Sequence, residues 1–316
     1  MAYDARATVF VTGADGFLGT ELVKVLVTRG HQVCALTRSV ETAQSLRQVG
    51  AMPVVGDLLT PGRWQDEAAA DWVFHLPPVQ SGQLIRERVA CNRAASLARA
   101  GVVMDRNLLD AVSAGATQRV VYVADTRAYG GVGPRPITED EPPRPSAFGT
   151  RSQPALERLE GYVLAGVPVV TAFPGLVYGN GSWFRDLVIA PVVAGHRVLQ
   201  VGTTGPLVSP IHVRDCARAL LHLVEHGERG GRYFLVNSEP VRFNAFATTF
   251  ARIANRPLRV WRLPAAAARL LAGARLNGYL HSDAVFSNIR LRGSGFRFEY
   301  PTLEHGLRQG WGVPHE

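Results

Sequence analysis

The chain has 316 residues, 47% of them hydrophobic and 19% charged, which supplies a large buried core and excludes wholesale disorder. Its longest apolar stretches, Tyr162–Phe173 and Leu187–Ala194, are interrupted by Gly or Pro and are too short to span a bilayer, so no membrane partner is expected. The net charge of +8 comes from thinly spread arginines with no basic block interleaved with aromatics; a solvated surface or anionic small ligands are expected rather than nucleic acid. Cys34, Cys91 and Cys216 are widely and irregularly spaced, which argues against a disulfide framework and against a metal site. From Met1 the chain runs through Asp4 straight into a strand pattern, with no secretory signal visible, and a cytoplasmic location is expected.

Taken in order, Ala7–Thr12 is a short apolar run that reads as a strand, and Phe17–Arg29 repeats Leu18, Leu22, Val25 and Leu26 at helical spacing. Gly30 stops that helix, and Gln32–Thr37, Met52–Val55, Trp72–Leu76 and Arg119–Ala124 follow as strands, with a helical region clearest at Asn107–Val112 before the last. Gly130–Pro145 is rich in Pro and Gly and predicts an irregular loop. A helix over Pro154–Ala165 and a strand over Pro168–Phe173 come next, and after Gly181 the strict alternation stops. Strands that are apolar throughout, separated by helices, imply a doubly wound parallel (Rossmann-type) α/β sheet covered on both faces. The expected organisation is a nucleotide-binding domain over residues 1–180, to which part of 206–236 returns, and a smaller C-terminal substrate-binding lobe over 181–316.

The strongest local signal is Thr12-Gly13-Ala14-Asp15-Gly16-Phe17-Leu18-Gly19, a TGxxGxxG turn between a strand and a helix. Gly13 permits the tight turn, Gly16 lets backbone approach a pyrophosphate, and Gly19 allows close helix–sheet packing. The N–H groups at the helix start, with Asp15, Phe17 and Leu18 around them, are placed to meet the anion. The second strand ends in Arg38-Ser39 where an acidic residue would favour NAD(H); a basic residue there suits a 2′-phosphate, so NADP(H) is favoured over NAD(H).

With these features in hand, the chain resembles the extended short-chain dehydrogenases/reductases of the nucleotide-sugar epimerase/dehydratase type, over nearly its whole length. Gly56-Asp57-Leu58 looks like the adenine-contacting segment, and Val73-Phe74-His75-Leu76 like the fourth strand that leads to the cofactor. Val120-Val121-Tyr122-Val123 with Tyr129-Gly130 matches the fifth strand and catalytic loop, and Phe173–Gly179 the segment flanking the nicotinamide. Pro210–Asp215 and Gly295–Leu303 resemble the "IHVxD" segment and the C-terminal tail. The resemblance implies cofactor contacts from Asp57, Leu58, Leu76, Pro77, Pro174, Leu176 and Val177, a small-molecule substrate, and a possible homodimer through Ala95–Ser113 and Pro154–Ala165.

The resemblance also implies a Tyr-x-x-x-Lys dyad, in which the lysine charge lowers the tyrosine pKa for proton exchange. By register, Phe148 stands at the tyrosine place and Ser152 at the lysine place. Phenylalanine has no proton to give, and Lys24, in the first helix, is the single lysine of the chain. The dyad is therefore absent whatever the alignment. The family's catalytic Ser/Thr place falls on Asp125, with Thr126 beside it; Pro77-Pro78 removes two N–H donors; and Gly101–Asp105 departs from the family's Asn-Val-x-Gly-Thr.

Asp125 is the candidate general acid or base, expected to have a raised pKa, against the alternative of a salt bridge to Arg127 or Arg151. Thr126 could orient a substrate oxygen, and Tyr129 and Tyr178 are the remaining phenols. Arg151 offers charge but no exchangeable proton, and Trp183 and Phe184 could line a substrate pocket or belong to the core. Three functions follow: a non-redox cyclase, isomerase or dehydratase of a small natural-product or sugar intermediate, which loss of the dyad favours; an NADPH-dependent ketoreductase with a substitute proton donor; or a non-catalytic NADP(H) sensor.

Overall fold

The computed structural model describes residues 6–77, 90–113, 115–130, 133–144, 153–264, 267 and 283–309. In chain order the elements begin with β1 (Thr8–Thr12), α1 (Phe17–Thr28), β2 (Gln32–Thr37), α2 (Val40–Gln48), β3 (Met52–Val55), α3 (Trp64–Glu67), β4 (Trp72–His75), α4 (Ala90–Ser113) and β5 (Arg119–Val123). They continue with β6 (Gly133–Ile137), α5 (Gln153–Leu164), β7 (Val169–Pro174), β8 (Leu176–Tyr178), α6 (Ala190–Val193), β9 (Arg197–Val201), β10 (Leu207–Val208), β11 (Pro210–His212) and α7 (Val213–His226). The remainder comprises β12 (Arg232–Leu235), β13 (Val241–Arg242), α8 (Ala245–Ile253), β14 (Arg259–Leu263), β15 (Ala284–Phe286) and two short helices at Ile289–Gly293 and Leu303–Gln309.

Seven strands form a parallel sheet in the order β12-β7-β5-β4-β1-β2-β3, the doubly wound arrangement expected from the alternation of strands and helices. Val9, Phe10 and Val11 of β1 are fully buried, as a central strand covered on both faces must be. α1 turns Leu22, Val23 and Leu26 inward and stops at Gly30, whose φ of +85° lies in the left-handed region that glycine adopts without strain. Strand order reverses at β1, so the carboxyl ends of β1 and β4 flank the crevice where ligands of such sheets sit.

The chain divides into two compact units. The first comprises Met1–Asp125, Arg151–Phe173 and Ala217–Tyr233; the second comprises Thr126–Thr150, Pro174–Cys216 and Phe234–Glu316. The second unit contains a four-stranded sheet of order β13-β10-β15-β6 and two strand pairs, β11-β8 and β14-β9. Its apolar cluster is built around Tyr178, Phe184, Val188, Phe246, Phe250 and Leu307.

One expectation is corrected here. Gly133–Ile137 lies inside the stretch expected to be an irregular loop, yet it forms β6 at the edge of the four-stranded sheet. Pro134 and Pro136 have no N–H to give, which an edge strand tolerates because one side of its ladder is unused. The register against β15 also shifts between Ala284 and Phe286, and that irregularity accommodates the missing donors.

His212, at the end of β11, is packed against Tyr300 and edge-on to Tyr178, and burial followed by the nearby Arg214 charge lowers its pKa to about 4. Between its ordinary value of about 6.5 and that value the unfolded chain binds the proton and the folded chain does not. Thermal stability is therefore expected to fall as pH is lowered through that window. His212→Gln should flatten that part of the profile of midpoint temperature against pH.

Candidate functional site

The glycine turn after β1 has the geometry its sequence implies. Gly13 has φ +66°, and a Cβ there would stand 2.3 Å from the Leu76 carbonyl oxygen. A Cβ on Gly19 would stand 2.0 Å from the Gly13 carbonyl oxygen, so only glycine lets α1 approach the turn. Gly16 differs: its φ is −77°, and the nearest atom to an added Cβ is the Gly13 oxygen at 3.2 Å, with no other within 4 Å. It is the N-cap of α1 and gives no side-chain cap, and the first turn carries no acidic residue. The N–H groups of Phe17 and Leu18 thus face outward at the positive end of a twelve-residue helix dipole. This is a cradle that fits a pyrophosphate.

The neighbouring strand ends supply the rest. Arg38, after β2, is exposed and has no ion pair among the described residues. Ser39 is committed locally: its Oγ accepts from the Thr42 N–H at 3.3 Å as the N-cap of α2 and donates to Glu41 Oε2 at 2.6 Å. That bond lowers the Glu41 pKa, so Glu41 stands beside Ser39 as a carboxylate. Sequence reasoning missed Glu41; its place two residues after Ser39, in the first turn of a capped helix, was the available signal.

Asp57, after β3, accepts the Leu59 N–H through Oδ1 at 2.9 Å, and Leu58 is buried with its carbonyl held by Asn107 Nδ2 at 2.8 Å. Leu76 is buried, and its N–H donates to Thr12 Oγ1 at 3.2 Å; Pro77 beside it is half-buried. Asp125 is half-buried two residues beyond β5, where the Ala124 N–H continues the ladder to Ala172. Asp15 at the turn is exposed.

In the second unit Thr126 opens a 3-10 turn running to Tyr129, whose buried ring packs edge-on against Phe234 at 4.9 Å and Phe286 at 6.4 Å. Gly175 sits so tightly that a Cβ would stand 2.2 Å from the Ser209 oxygen; Leu176 and Val177 pair with β11, and Pro174 ends β7. Trp183 is half-buried, donates from Nε1 to the Val177 carbonyl at 3.1 Å and stacks on Phe243. Phe184 and Tyr178 are fully buried in the apolar cluster, where burial raises the Tyr178 pKa. Phe148, Arg151 and Ser152 lie outside the described residues, as do Pro78 and the side chain of Cys91. Among the described residues no cluster of His, Cys, Asp and Glu is placed to hold a metal, and no helix is long and apolar enough to cross a membrane.

A doubly wound sheet with a glycine-lined anion cradle at its switch point defines a dinucleotide-binding protein. Residues 9–237 match the NAD dependent epimerase/dehydratase family, and the chain belongs to that family. It is 30% identical over 272 residues to a 4-hydroxy-2-methyl-3-oxo-4-farnesyl-3,4-dihydroquinoline-1-oxide ketoreductase of Stigmatella aurantiaca, covering 83% of this chain and 78% of the relative. It is 31% identical over 314 residues to a 3-diazoavenalumate denitrifying reductase of a Streptomyces species, covering 95% and 98%. The fold resembles that of a Thermus thermophilus UDP-glucose 4-epimerase in complex with NAD, with a TM-score of 0.78, 21% identity and coverage of 96% and 97%. It also resembles a human epimerase family protein with NADPH, with a TM-score of 0.77, 21% identity and coverage of 96% and 98%. An enzyme that uses a nicotinamide cofactor is the class these findings support.

Proposed function

We propose that the protein is an NADPH-dependent reductase of a small biosynthetic intermediate, working without a Tyr/Lys proton donor. The observation that carries this reading is the intact anion cradle at Gly13, Gly16 and Gly19 in a chain whose single lysine, Lys24, lies on α1 beside Glu21. Reductase-named relatives that align over most of the chain support hydride chemistry over the non-redox alternative.

The cradle would hold the pyrophosphate through the Phe17 and Leu18 N–H groups, and Arg38 would pair with a 2′-phosphate. Asp57 keeps Oδ2 for the adenine amine, since Oδ1 is occupied by Leu59. A bound nicotinamide supplies the hydride. Asp125, at the carboxyl end of β5, is about two strand spacings from β1, roughly 10 Å across the sheet, and is proposed to hold or give the proton at the substrate. Loss of the phenol favours acceptors that are electron-poor enough to take hydride before a proton arrives. The second reading, an isomerase or dehydratase, rests on the same Asp125 carboxylate acting alone.

Titration with all four coenzyme forms, followed by nicotinamide fluorescence for NADPH and NADH and by thermal stability for NADP⁺ and NAD⁺, tests the first step, and substrate conversion with loss of NADPH absorbance tests the second. Conversion without that loss would replace the reductase by the isomerase or dehydratase. Arg38→Ala is expected to weaken NADPH about tenfold or more and NADH hardly at all. Glu41→Gln is expected to tighten NADPH, because it removes a negative charge beside the phosphate. Equal NADPH and NADH losses in Arg38→Ala would overturn the 2′-phosphate assignment.

A further inference from the structure

Beneath the cradle, the first unit buries a polar chain that the fold alone does not require. The Leu76 N–H donates to Thr12 Oγ1 at 3.2 Å, and that oxygen lies 2.7 Å from His75 Nδ1. His75 Nε2 lies 3.1 Å from Asp105 Oδ1. The same carboxylate accepts from the Tyr122 hydroxyl at 3.2 Å to each oxygen and from Arg158 Nη2 at 3.3 Å. Thr12, His75, Asp105 and Tyr122 are all buried. Burial, then the Asp105 charge, raises the Tyr122 pKa well above the usual phenol value, so the hydroxyl keeps its proton and donates it.

The proton positions follow from donor and acceptor capacity. A carboxylate facing Nε2 can only accept, so Nε2 carries a proton. The Thr12 oxygen already accepts from Leu76, and its own hydroxyl proton has His75 Nδ1 as acceptor. The neutral imidazole that satisfies both partners is the Nε2–H tautomer, with the Thr12 hydroxyl donating to Nδ1 and its oxygen accepting from the Leu76 N–H. Leu76 is the residue whose carbonyl oxygen would meet a Cβ on Gly13 at 2.3 Å, so this bond seats the glycine turn against the exit of β4.

We propose that Asp105 is a positioning residue for the coenzyme cradle, acting through His75 and Thr12 on the seat of the Gly13 turn against Leu76. Its carboxylate is buried and acts through the hydrogen bonds it makes with His75, Tyr122 and Arg158. Arg158, on α5, balances the charge and ties that helix to the same carboxylate. The inference rests on the reading that the cradle binds a nicotinamide coenzyme.

The test combines ring spectroscopy with coenzyme affinity. In protein labelled with ¹⁵N-histidine and assigned by difference against His75→Gln, the wild-type ring is expected as the Nε2–H tautomer. Asp105→Asn can turn an amide donor towards Nε2, and the ring signal should move towards Nδ1–H. NADPH affinity in that variant should fall about tenfold, which corresponds to about 1.4 kcal/mol. Thr12→Val should lose a similar factor, and the double variant should bind no more weakly than the worse single variant, because both substitutions cut one chain.

A wild-type ring in the Nδ1–H form, unchanged NADPH affinity in Asp105→Asn, or losses that simply add would each overturn the proposal. If Asp105→Asn does not fold, the wild-type ring state and the affinity of Thr12→Val decide it, and an unmoved affinity in Thr12→Val overturns it. Wild-type protein that binds neither NADPH nor NADH refutes the coenzyme reading itself and this proposal with it; binding that is insensitive to Asp105 refutes this inference alone.

Discussion

Gly16→Ala should leave thermal unfolding close to wild type and weaken NADPH binding by at least about a hundredfold, roughly 2.7 kcal/mol. The backbone at Gly16 has φ −77°, which alanine adopts without strain, and the added methyl meets only the Gly13 oxygen, at 3.2 Å. The methyl would instead occupy the space into which a pyrophosphate must come to reach the first-turn N–H groups. Gly19→Ala is the internal contrast. There the methyl would be 2.0 Å from the Gly13 oxygen and 2.8 Å from the Ala14 Cα, both backbone atoms, so α1 must withdraw from the turn. That variant should lose stability, by about 1–3 kcal/mol, as well as coenzyme binding. Unfolding curves beside fluorescence titrations separate the two, and wild-type affinity in Gly16→Ala would mean that the anion is not bound at this turn.

Asp125→Asn should lower turnover by roughly 10²–10⁴-fold while leaving NADPH affinity near wild type. The substitution keeps shape and hydrogen-bonding capacity but removes the charge and the exchangeable proton. Asp125 is half-buried at the carboxyl end of β5, while Tyr129 is buried and packed on aromatic rings. Asp125 is therefore the more accessible of the two, and the chain has no lysine to activate a phenol in this region. Single-turnover measurements with saturating NADPH would distinguish the roles. A variant with full activity would remove Asp125 from the mechanism and leave solvent as the proton source. A variant that loses coenzyme affinity to the same degree as turnover would make it a loop-shaping residue instead.

The chain belongs to the NAD dependent epimerase/dehydratase family, so its departures fall on a known framework. The glycine turn after β1 has the geometry of an anion cradle, whereas the chain's single lysine, Lys24, lies on α1. In the proposed reading Arg38 attracts a coenzyme 2′-phosphate and Glu41 repels it, so the two single variants should move NADPH affinity in opposite directions.

The sequence by itself determined what depends on neighbours along the chain. Apolar runs such as Val9–Val11 mark buried parallel strands, helical spacing of Leu22 and Leu26 marks the buried face of α1, and Gly13, Gly16 and Gly19 mark the tight turn between β1 and α1. Absence of the dyad follows from counting lysines, which needs no coordinates. Tertiary structure decided what depends on partners far apart in sequence. Thr12, His75, Asp105, Tyr122 and Arg158 come from three strands and two helices, and no periodicity or motif joins them. Gly133–Ile137 is a strand only because the edge of another sheet accepts its prolines. Phe184 and Tyr178 are sealed in the apolar cluster by α8 and the C-terminal helix at Leu303–Gln309, elements far along the chain from either ring. Local propensity and turn chemistry act over a few residues, whereas burial and hydrogen-bond direction are set by whatever the finished fold brings into contact.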